Sequence, residues 1–236
     1  MSDEVSGMIV IGSPEPKSDH QIARSIRNLS LQMDVVIKYK DESRLMRFLG
    51  ALMFFAPTFR TNMATTINRT IYLPSREWAR DSRRYWMTMA HELVHVEDAE
   101  RQGFVGFALS YLFPQCLSLL SVLAFVPGMW WMVFALLFLA PIPSPGRARA
   151  EFRGYAISMA CLRWRNKPSV YAQKHIFRLF TGPAYYYMWP FPKSVRDRLD
   201  RYRWMACCDT LAREIPIATQ LQCLIQDDGA RRLVLR

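Results

Sequence analysis

The stretch Met89-Ala-His-Glu-Leu-Val-His-Val-Glu-Asp-Ala99 contains the most informative residues of the chain. His91 and His95 are four positions apart, and on a helix such a pair lies one above the other on one face. Two imidazoles in this arrangement can bind one metal ion. Glu92 projects about 100° further round the helix, where it can act on a water molecule beside the ion. The pattern His-Glu-x-x-His therefore predicts a metal centre carried by a helix.

The residues around this motif also favour a helix. Apolar side chains recur at helical spacing through residues 86–96, and neither glycine nor proline occurs between residues 75 and 102. Gly103 follows at a position where glycine commonly ends a helix. An ordinary helix with two hydrogen-bonded histidines has a similar sequence. However, the motif contains two of the four histidines in the chain, which favours the metal interpretation.

A third protein ligand is needed to complete such a centre, and the sequence leaves few choices. The acidic residues at 97, 98 and 100 are too close on the same helix to complete the coordination easily. Asp98 could orient a metal ligand through a hydrogen bond, but a solvated residue near the helix end is the simpler interpretation. Residues 102–146 contain no charged residue and no histidine. Glu151 is the next carboxylate and the predicted third ligand, and His175 is the alternative.

The uncharged segment predicts an apolar helical hairpin over residues 103–146, interrupted at Pro114 and at Pro127-Gly128. A transmembrane helix needs about 20 apolar residues, and the part after Gly128 is short for a full crossing. Insertion into a membrane and burial, either in the fold or against a partner, both remain open. If the three ligands bind one ion, both ends of the hairpin lie on the same side of any membrane. The flanking arginines then favour the cytoplasmic side.

The chain carries 31 basic and 20 acidic side chains, and its net charge of +11 is concentrated near the C-terminus. Residues 147–236 contain 17 basic and 7 acidic side chains. This region suits an anionic membrane surface or an acidic partner, and without a recognisable motif a nucleic-acid partner is not expected. Five cysteines without a Cys-x-x-Cys pair indicate reduced thiols. The first residues lack the features of a signal peptide.

Three regions are predicted along the chain. Residues 1–32 are polar and are interpreted as an extended arm, with a short strand at 9–11. Residues 33–165 form a domain with strands at 34–39 and 65–73, a helix at 42–55, the motif helix and the helix that carries Glu151. Residues 166–236 form a basic, aromatic-rich helical region. The predicted fold class is α+β, mainly helical, with a small sheet.

A His-Glu-x-x-His motif followed some tens of residues later by a helical glutamate resembles the gluzincin class of zinc metallopeptidases. The resemblance implies a zincin-like minidomain, a small sheet beside the motif helix, that holds Zn²⁺ through His91, His95 and Glu151. It also implies that Glu92 assists a water molecule in hydrolysing peptide bonds. The hairpin is similar to that of membrane-embedded gluzincins, although Tyr155 stands where those have aspartate. Small proteins with this motif encoded by bacteriophages are also similar.

Two further features of a peptidase can be sought in the sequence. Zinc peptidases often use a tyrosine or histidine to donate a hydrogen bond to the developing oxyanion. Tyr155, His175 and Tyr186 are candidates, although aromatic packing is the simpler interpretation of any single tyrosine. The strand at 65–73 could bind an extended peptide or protein substrate through main-chain hydrogen bonds, or it could be an ordinary core strand.

A structural role is the second hypothesis. The chain could be a component of a large assembly, such as a virus particle, that keeps a peptidase-like fold. In that case neighbouring subunits would bury the hairpin, and the basic C-terminal region would face acidic partners. The expected locations are therefore the cytoplasm, the cytoplasmic face of a membrane, or a virus particle.

Overall fold

The computed structural model of the chain describes residues 17–52, 58–182 and 187–226. Within these ranges the protein is mainly helical and contains one small three-stranded sheet, which confirms the predicted α+β class. The five cysteines are all free.

Helix α1 (Asp19–Gln32) shows that the interpretation of residues 1–32 as an extended arm is wrong for its second half. Ser18 forms a capping box at the start of the helix. Ile22, Ile26 and Leu29 lie on one face and are buried in the main core. Only these three apolar side chains form the buried face, and the polar residues on the other faces make the helical pattern hard to recognise in the sequence. Residues 1–16, including the predicted strand at 9–11, lie outside the described residues.

The sheet contains β1 (Val36–Tyr39), β2 (Thr65–Ile67) and β3 (Thr70–Leu73) in the order β1-β3-β2. Strand β1 runs parallel to β3, and β2 pairs with β3 in the antiparallel sense. The single strand predicted at 65–73 is therefore a hairpin. Asn68 turns the chain with φ of 53°, a left-handed conformation that asparagine tolerates better than most residues. Strand β2 lies at an edge of the sheet.

Two short helices, α2 (Arg44–Leu52) and α3 (Thr58–Thr61), connect β1 to β2. Helix α2 confirms the central part of the helix predicted at 42–55, and residues 53–57 lie outside the described ranges. The Ser43 hydroxyl accepts a hydrogen bond from the backbone N–H of Met46 at 3.3 Å. Met46 and Phe59 pack with Tyr72 of β3 in a small cluster beside the main core.

Helix α4 (Ser82–Gln102) passes through the main core and carries the His-Glu-x-x-His motif. The Asp81 carboxylate caps its start by accepting a hydrogen bond from the backbone N–H of Arg84 at 3.0 Å. Gly103, with φ of 74°, ends the helix at the predicted position. The apolar side chains of α4 pack in the same core as α1 and β3.

The predicted apolar hairpin follows α4. It begins with α5 (Phe104–Leu112) and continues as two 3₁₀ segments, Gln115–Phe125 and Trp130–Leu139, which pack against each other. Over the ranges that the structure describes, no single helix is both long and apolar enough to cross a membrane. Helix α5 and Gln115–Phe125 together reach that length and composition, but they are bent by 92°.

The remaining helices are α6 (Pro145–Trp164), α7 (Val170–Thr181), α8 (Pro192–Cys207) and α9 (Ala218–Ile225). Short 3₁₀ turns lie at Trp78–Arg80 and Leu211–Arg213. The predicted boundary after residue 165 does not separate two cores. Met205, Leu221 and Ile225 are buried in the same core as α1 and α4, so much of the C-terminal region belongs to the main domain.

Candidate metal centre

His91 and His95 extend from one face of α4, one helical turn apart. Their Nε2 atoms lie 3.2 Å apart, and the side chains are only 12% and 7% exposed. Two nitrogen ligands of a tetrahedral ion, with bonds of about 2.0–2.1 Å, lie about 3.3 Å from each other. With both Nε2 atoms unprotonated, their lone pairs can point at one cation between them, whereas without a cation a protonated Nε2 can donate to the other imidazole or to Glu151.

Helix α6 brings Glu151 to the two histidines. Glu151 Oε2 lies 3.5 Å from His91 Nε2, and Glu151 Oε1 lies 4.0 Å from His95 Nε2. One donor atom from each residue can be chosen so that all three lie within 4.8 Å of one another, and this group could hold a metal ion. His175, the alternative ligand, is exposed on α7 and lies outside the group.

Gly154 allows α6 to approach the motif helix this closely. A Cβ atom at this position would lie 2.5 Å from His91 Nε2 and 2.6 Å from His91 Cε1. Any larger residue therefore displaces the imidazole ring from its position beside Glu151. A glycine in the middle of a helix is the sequence signal for this contact, because glycine destabilises a helix interior relative to alanine by about 0.5–1 kcal/mol.

The electrostatics of the group favour positive charge between the three side chains. Burial by itself raises the pKa of Glu151, but the hydrogen bond from His91, both imidazoles and the Tyr111 hydroxyl outweigh it and lower this pKa to about 2. Burial lowers the pKa of His91, whereas Glu151 and Glu92 raise it and prevail. The result is a buried carboxylate that faces two imidazoles, and either a proton or a metal cation can supply the positive charge.

Further hydrogen bonds hold the three side chains in place. The Tyr111 hydroxyl on α5 donates to Glu151 Oε1 at 2.6 Å, and the Ser158 hydroxyl lies 3.4 Å from His91 Nδ1. Partners of this kind commonly orient metal ligands. His95 Nδ1 is buried and has no hydrogen-bond partner within the described part of the chain. The sequence gives little sign of Tyr111, since this tyrosine lies in the apolar segment, 40 residues before Glu151.

Glu92 is buried beside the centre, and β2 fixes its position. The Thr66 hydroxyl on β2 donates to Glu92 Oε2 at 2.7 Å. Lys40 lies on the same side, where its Nζ donates to the Phe59 carbonyl at 2.8 Å. Burial lowers the pKa of Lys40 to about 8, although the Glu92 carboxylate raises it. Glu92 is thus held by a strand at one edge of the sheet, close to a buried cationic side chain.

Asp98 belongs to a buried ion pair, so the interpretation of this residue as a solvated helix end is wrong. Arg153 Nε lies 3.0 Å from Asp98 Oδ1, and the same guanidinium lies 3.5 Å from Glu97 and donates to the backbone carbonyl of Glu214. Burial raises the pKa of the Asp98 carboxyl despite the nearby charge of Arg153. This ion pair joins α4 and α6 one turn beyond the ligands.

The structure separates the three oxyanion candidates. The Tyr155 ring packs edge-on against His91, with 4.7 Å between the ring centroids, so this tyrosine lies at the centre. His175 is exposed on α7, as described above. Tyr186 lies outside the described residues.

Comparisons of the chain with protein-family models, with curated proteins and with solved structures found no match. The arrangement of His91, His95, Glu151 and Glu92 is therefore the basis for a functional conclusion.

Proposed function

We propose that the protein is a zinc-dependent metallopeptidase whose zincin-like centre contains His91, His95 and Glu151. The observation that carries the proposal is the convergence of these three ligands in a buried site, with Glu92 held beside them. Two imidazole nitrogens and one carboxylate oxygen form a donor set that zinc commonly uses in hydrolytic sites. Such sites leave one coordination position open.

The reaction follows from the positions of the chain's own groups. When bound, zinc acts as a Lewis acid and makes water a stronger nucleophile near neutral pH. Glu92 accepts a proton from the attacking water as the new carbon–oxygen bond forms. The same carboxyl then passes this proton to the amine nitrogen as the carbon–nitrogen bond breaks. The Thr66 hydroxyl at 2.7 Å holds the Glu92 carboxylate in one orientation for both transfers.

Tyr155 is the preferred donor to the developing oxyanion. Its ring is packed between His91 and Phe180, with centroid distances of 4.7 and 5.9 Å. This packing holds the tyrosine beside the ligands, where a hydroxyl can reach a substrate oxygen. His175 and Tyr186 remain candidates from the sequence.

Strand β2 is the proposed site for the substrate backbone. It pairs with β3 along one edge, and its other edge has no strand partner among the described residues. Thr66 belongs to this strand and contacts Glu92, so a peptide that pairs with β2 lies close to the catalytic carboxylate. Main-chain pairing of this kind binds an extended peptide with little demand on its sequence.

Substitution of Glu92 tests the proposal. Glu92→Gln keeps the shape of the side chain but removes the proton acceptor, and should lower the hydrolysis of a fluorogenic peptide library by about 10²–10⁴-fold. Metal content should be unchanged. Glu100→Gln, on the exposed end of the same helix, is the matched control and should retain activity. Wild-type cleavage by Glu92→Gln, or a zinc-loaded wild type that cleaves no peptide, would contradict the proposal.

A further inference from the structure

The apolar hairpin, residues 103–143, is the most unusual surface of the molecule. Its large side chains are exposed along its length: Leu119 is 72% exposed, Phe125 is 91% exposed and Trp130 is 68% exposed. The two 3₁₀ segments pack on each other, and Gln115–Phe125 also contacts α5, but neither packs extensively on the rest of the described chain. Contiguous apolar surface of this extent marks a binding surface rather than an ordinary solvent-facing element.

We propose that the two 3₁₀ segments of this hairpin insert part of the way into an anionic lipid bilayer from one side and anchor the protein without crossing the membrane. This inference deepens the proposed function: the substrate class that follows from it rests on the proposed metallopeptidase activity.

Neither 3₁₀ segment of the hairpin is long enough to cross a bilayer. A 3₁₀ helix rises about 2.0 Å per residue, so the 11 residues of Gln115–Phe125 extend about 22 Å. The 10 residues of Trp130–Leu139 extend about 20 Å on the same basis. The hydrocarbon core of a bilayer is about 30 Å thick, so either segment reaches past the middle of the core but not across it.

Two polar side chains inside the hairpin, Gln115 and Ser118, are hydrogen-bonded within it, as lipid requires. Gln115 Nε2 donates to the carbonyl of Ile142 at 2.8 Å, and the Ser118 hydroxyl donates to the carbonyl of Gln115 at 2.7 Å. At the base, the Ser144 hydroxyl donates to the carbonyl of Phe113 at 2.5 Å. These contacts join the outgoing and returning segments at the same level, so both ends of the hairpin leave the lipid on one side.

The charges around the hairpin match an anionic surface. Residues 102–146 carry no charge, whereas Arg101 precedes this segment and Arg147 and Arg149 follow it. Arg101 and Arg149 are exposed, so they can contact lipid phosphates when the hairpin is inserted. Basic residues beside a membrane surface are attracted to anionic lipids.

Insertion places the metal centre next to the lipid headgroups. Helix α5, the first part of the hairpin, leads into the two 3₁₀ segments, and its Tyr111 contacts Glu151 at 2.6 Å, two residues before Phe113 at their base. The edge of β2 and the ligands are then available to peptide segments close to the bilayer. The substrate class is therefore a protein held at the membrane by its own anchor and cleaved near that anchor.

Vesicle flotation tests the insertion with the full chain carrying Glu92→Gln, so that hydrolysis plays no part. Vesicles of phosphatidylcholine with phosphatidylserine should carry the protein to the top of a gradient, and phosphatidylcholine alone should carry less. Leu119→Asp with Phe125→Asp should reduce the floated fraction at least tenfold. Leu31→Asp with Phe48→Asp is the matched control on α1 and α2, where both residues are also exposed, and should float as before.

Several outcomes would overturn the anchor. Failure of the parent chain to float would do so, as would equal loss in the control pair. A parent chain that forms dimers in solution, does not bind vesicles and becomes monomeric on Leu119→Asp with Phe125→Asp would show that a second copy covers the hairpin.

A quenching experiment tests whether the hairpin crosses the bilayer. Iodide trapped inside the vesicles should leave the fluorescence of Trp130 and Trp131 unchanged. Quenching by this iodide that disappears in the Trp130→Phe with Trp131→Phe variant would show that the hairpin crosses. A wild type that floats without cleaving peptides would leave the anchor intact and contradict only the peptidase.

Discussion

The metal centre and the apolar hairpin depart from the usual distribution of residues in opposite directions. In the centre, ionisable groups such as Glu151, His95 and Glu92 are buried, whereas in the hairpin apolar side chains such as Leu119 and Phe125 are exposed. Burying a charge without a partner is unfavourable. Each Å² of apolar surface that stays in water forgoes about 25 cal/mol of hydrophobic stabilisation. The buried group is compatible with the proposed cation, and the exposed apolar surface is compatible with the proposed lipid partner.

Helix α5 links the two regions through a hydrogen bond and through ring contacts with His95. Tyr111 lies on α5, at the start of the apolar segment, and donates to Glu151 of the centre. The hairpin is thus attached to the ligand group itself rather than to a distant surface. The following predictions test how far each region depends on its own packing, from the largest expected effect to the smallest.

Gly154→Ala should abolish metal binding, because the new Cβ lies 2.5 Å from His91 Nε2 and displaces this ligand. Gly106→Ala is the matched control in α5, where no atom lies within 4 Å of the added carbon. It should retain metal and stabilise the protein by about 0.5–1 kcal/mol. Zinc content and thermal unfolding of the two variants check this contrast. Full zinc content in Gly154→Ala would show that the close approach of the helices is not needed.

Lys40→Met should change how stability depends on pH. The pKa of Lys40 is about 8 in the folded protein and 10.5 as its ordinary value, so the folded state binds fewer protons than the unfolded state between these pH values. The free energy of unfolding of the wild type should therefore rise relative to the variant between about pH 8 and 10.5. The rise should be roughly 3 kcal/mol. Urea unfolding at several pH values measures it.

Lys38→Met provides the control for this measurement. Lys38 is exposed on β1, two residues before Lys40, which directly follows this strand. The pH dependence of Lys38→Met should run parallel to that of the wild type. If the free energy of unfolding of Lys40→Met also changes with pH in parallel with that of the wild type, the buried charge of Lys40 does not destabilise the folded protein. That result would contradict the contrast between buried charge and exposed apolar surface.

Tyr111→Phe should weaken metal binding about 10–100-fold, the usual loss when a hydrogen bond to a ligand is removed. The ring remains, so the packing of α5 should be kept. Tyr187→Phe, at an exposed position, should have no effect. Titration with a competing chelator measures both affinities. An unchanged metal affinity in Tyr111→Phe would show that the hydrogen bond from the hairpin does not support metal binding.

Local patterns in the sequence were enough to predict part of this structure. The spacing of His91 and His95, the helix stop at Gly103 and the choice of Glu151 as the next available carboxylate all follow from positions along the chain. The structure adds what depends on distant contacts. The hydrogen bond from Thr66 to Glu92 and the one from Tyr111 to Glu151 join residues 26 and 40 positions apart, and no periodicity reports them.

The errors have similar physical causes. Helix α1 was missed because only one of its faces is apolar, and tertiary packing rather than composition stabilises it. The strand predicted at 65–73 is two strands, because Asn68 adopts a left-handed conformation that its neighbours do not reveal. Asp98 was interpreted as solvated because the Arg153 that pairs with it is 55 residues away.

The most direct test of the account is the zinc content of the purified wild type beside His91→Ala, Glu151→Ala and His175→Ala. The wild type and His175→Ala should contain about one zinc ion per chain, and the other two variants should contain almost none, because a three-ligand site rarely retains zinc after losing one ligand. Circular dichroism should show that all four proteins are folded. A folded wild type without metal, or loss of zinc in His175→Ala but not in Glu151→Ala, would contradict the proposed centre.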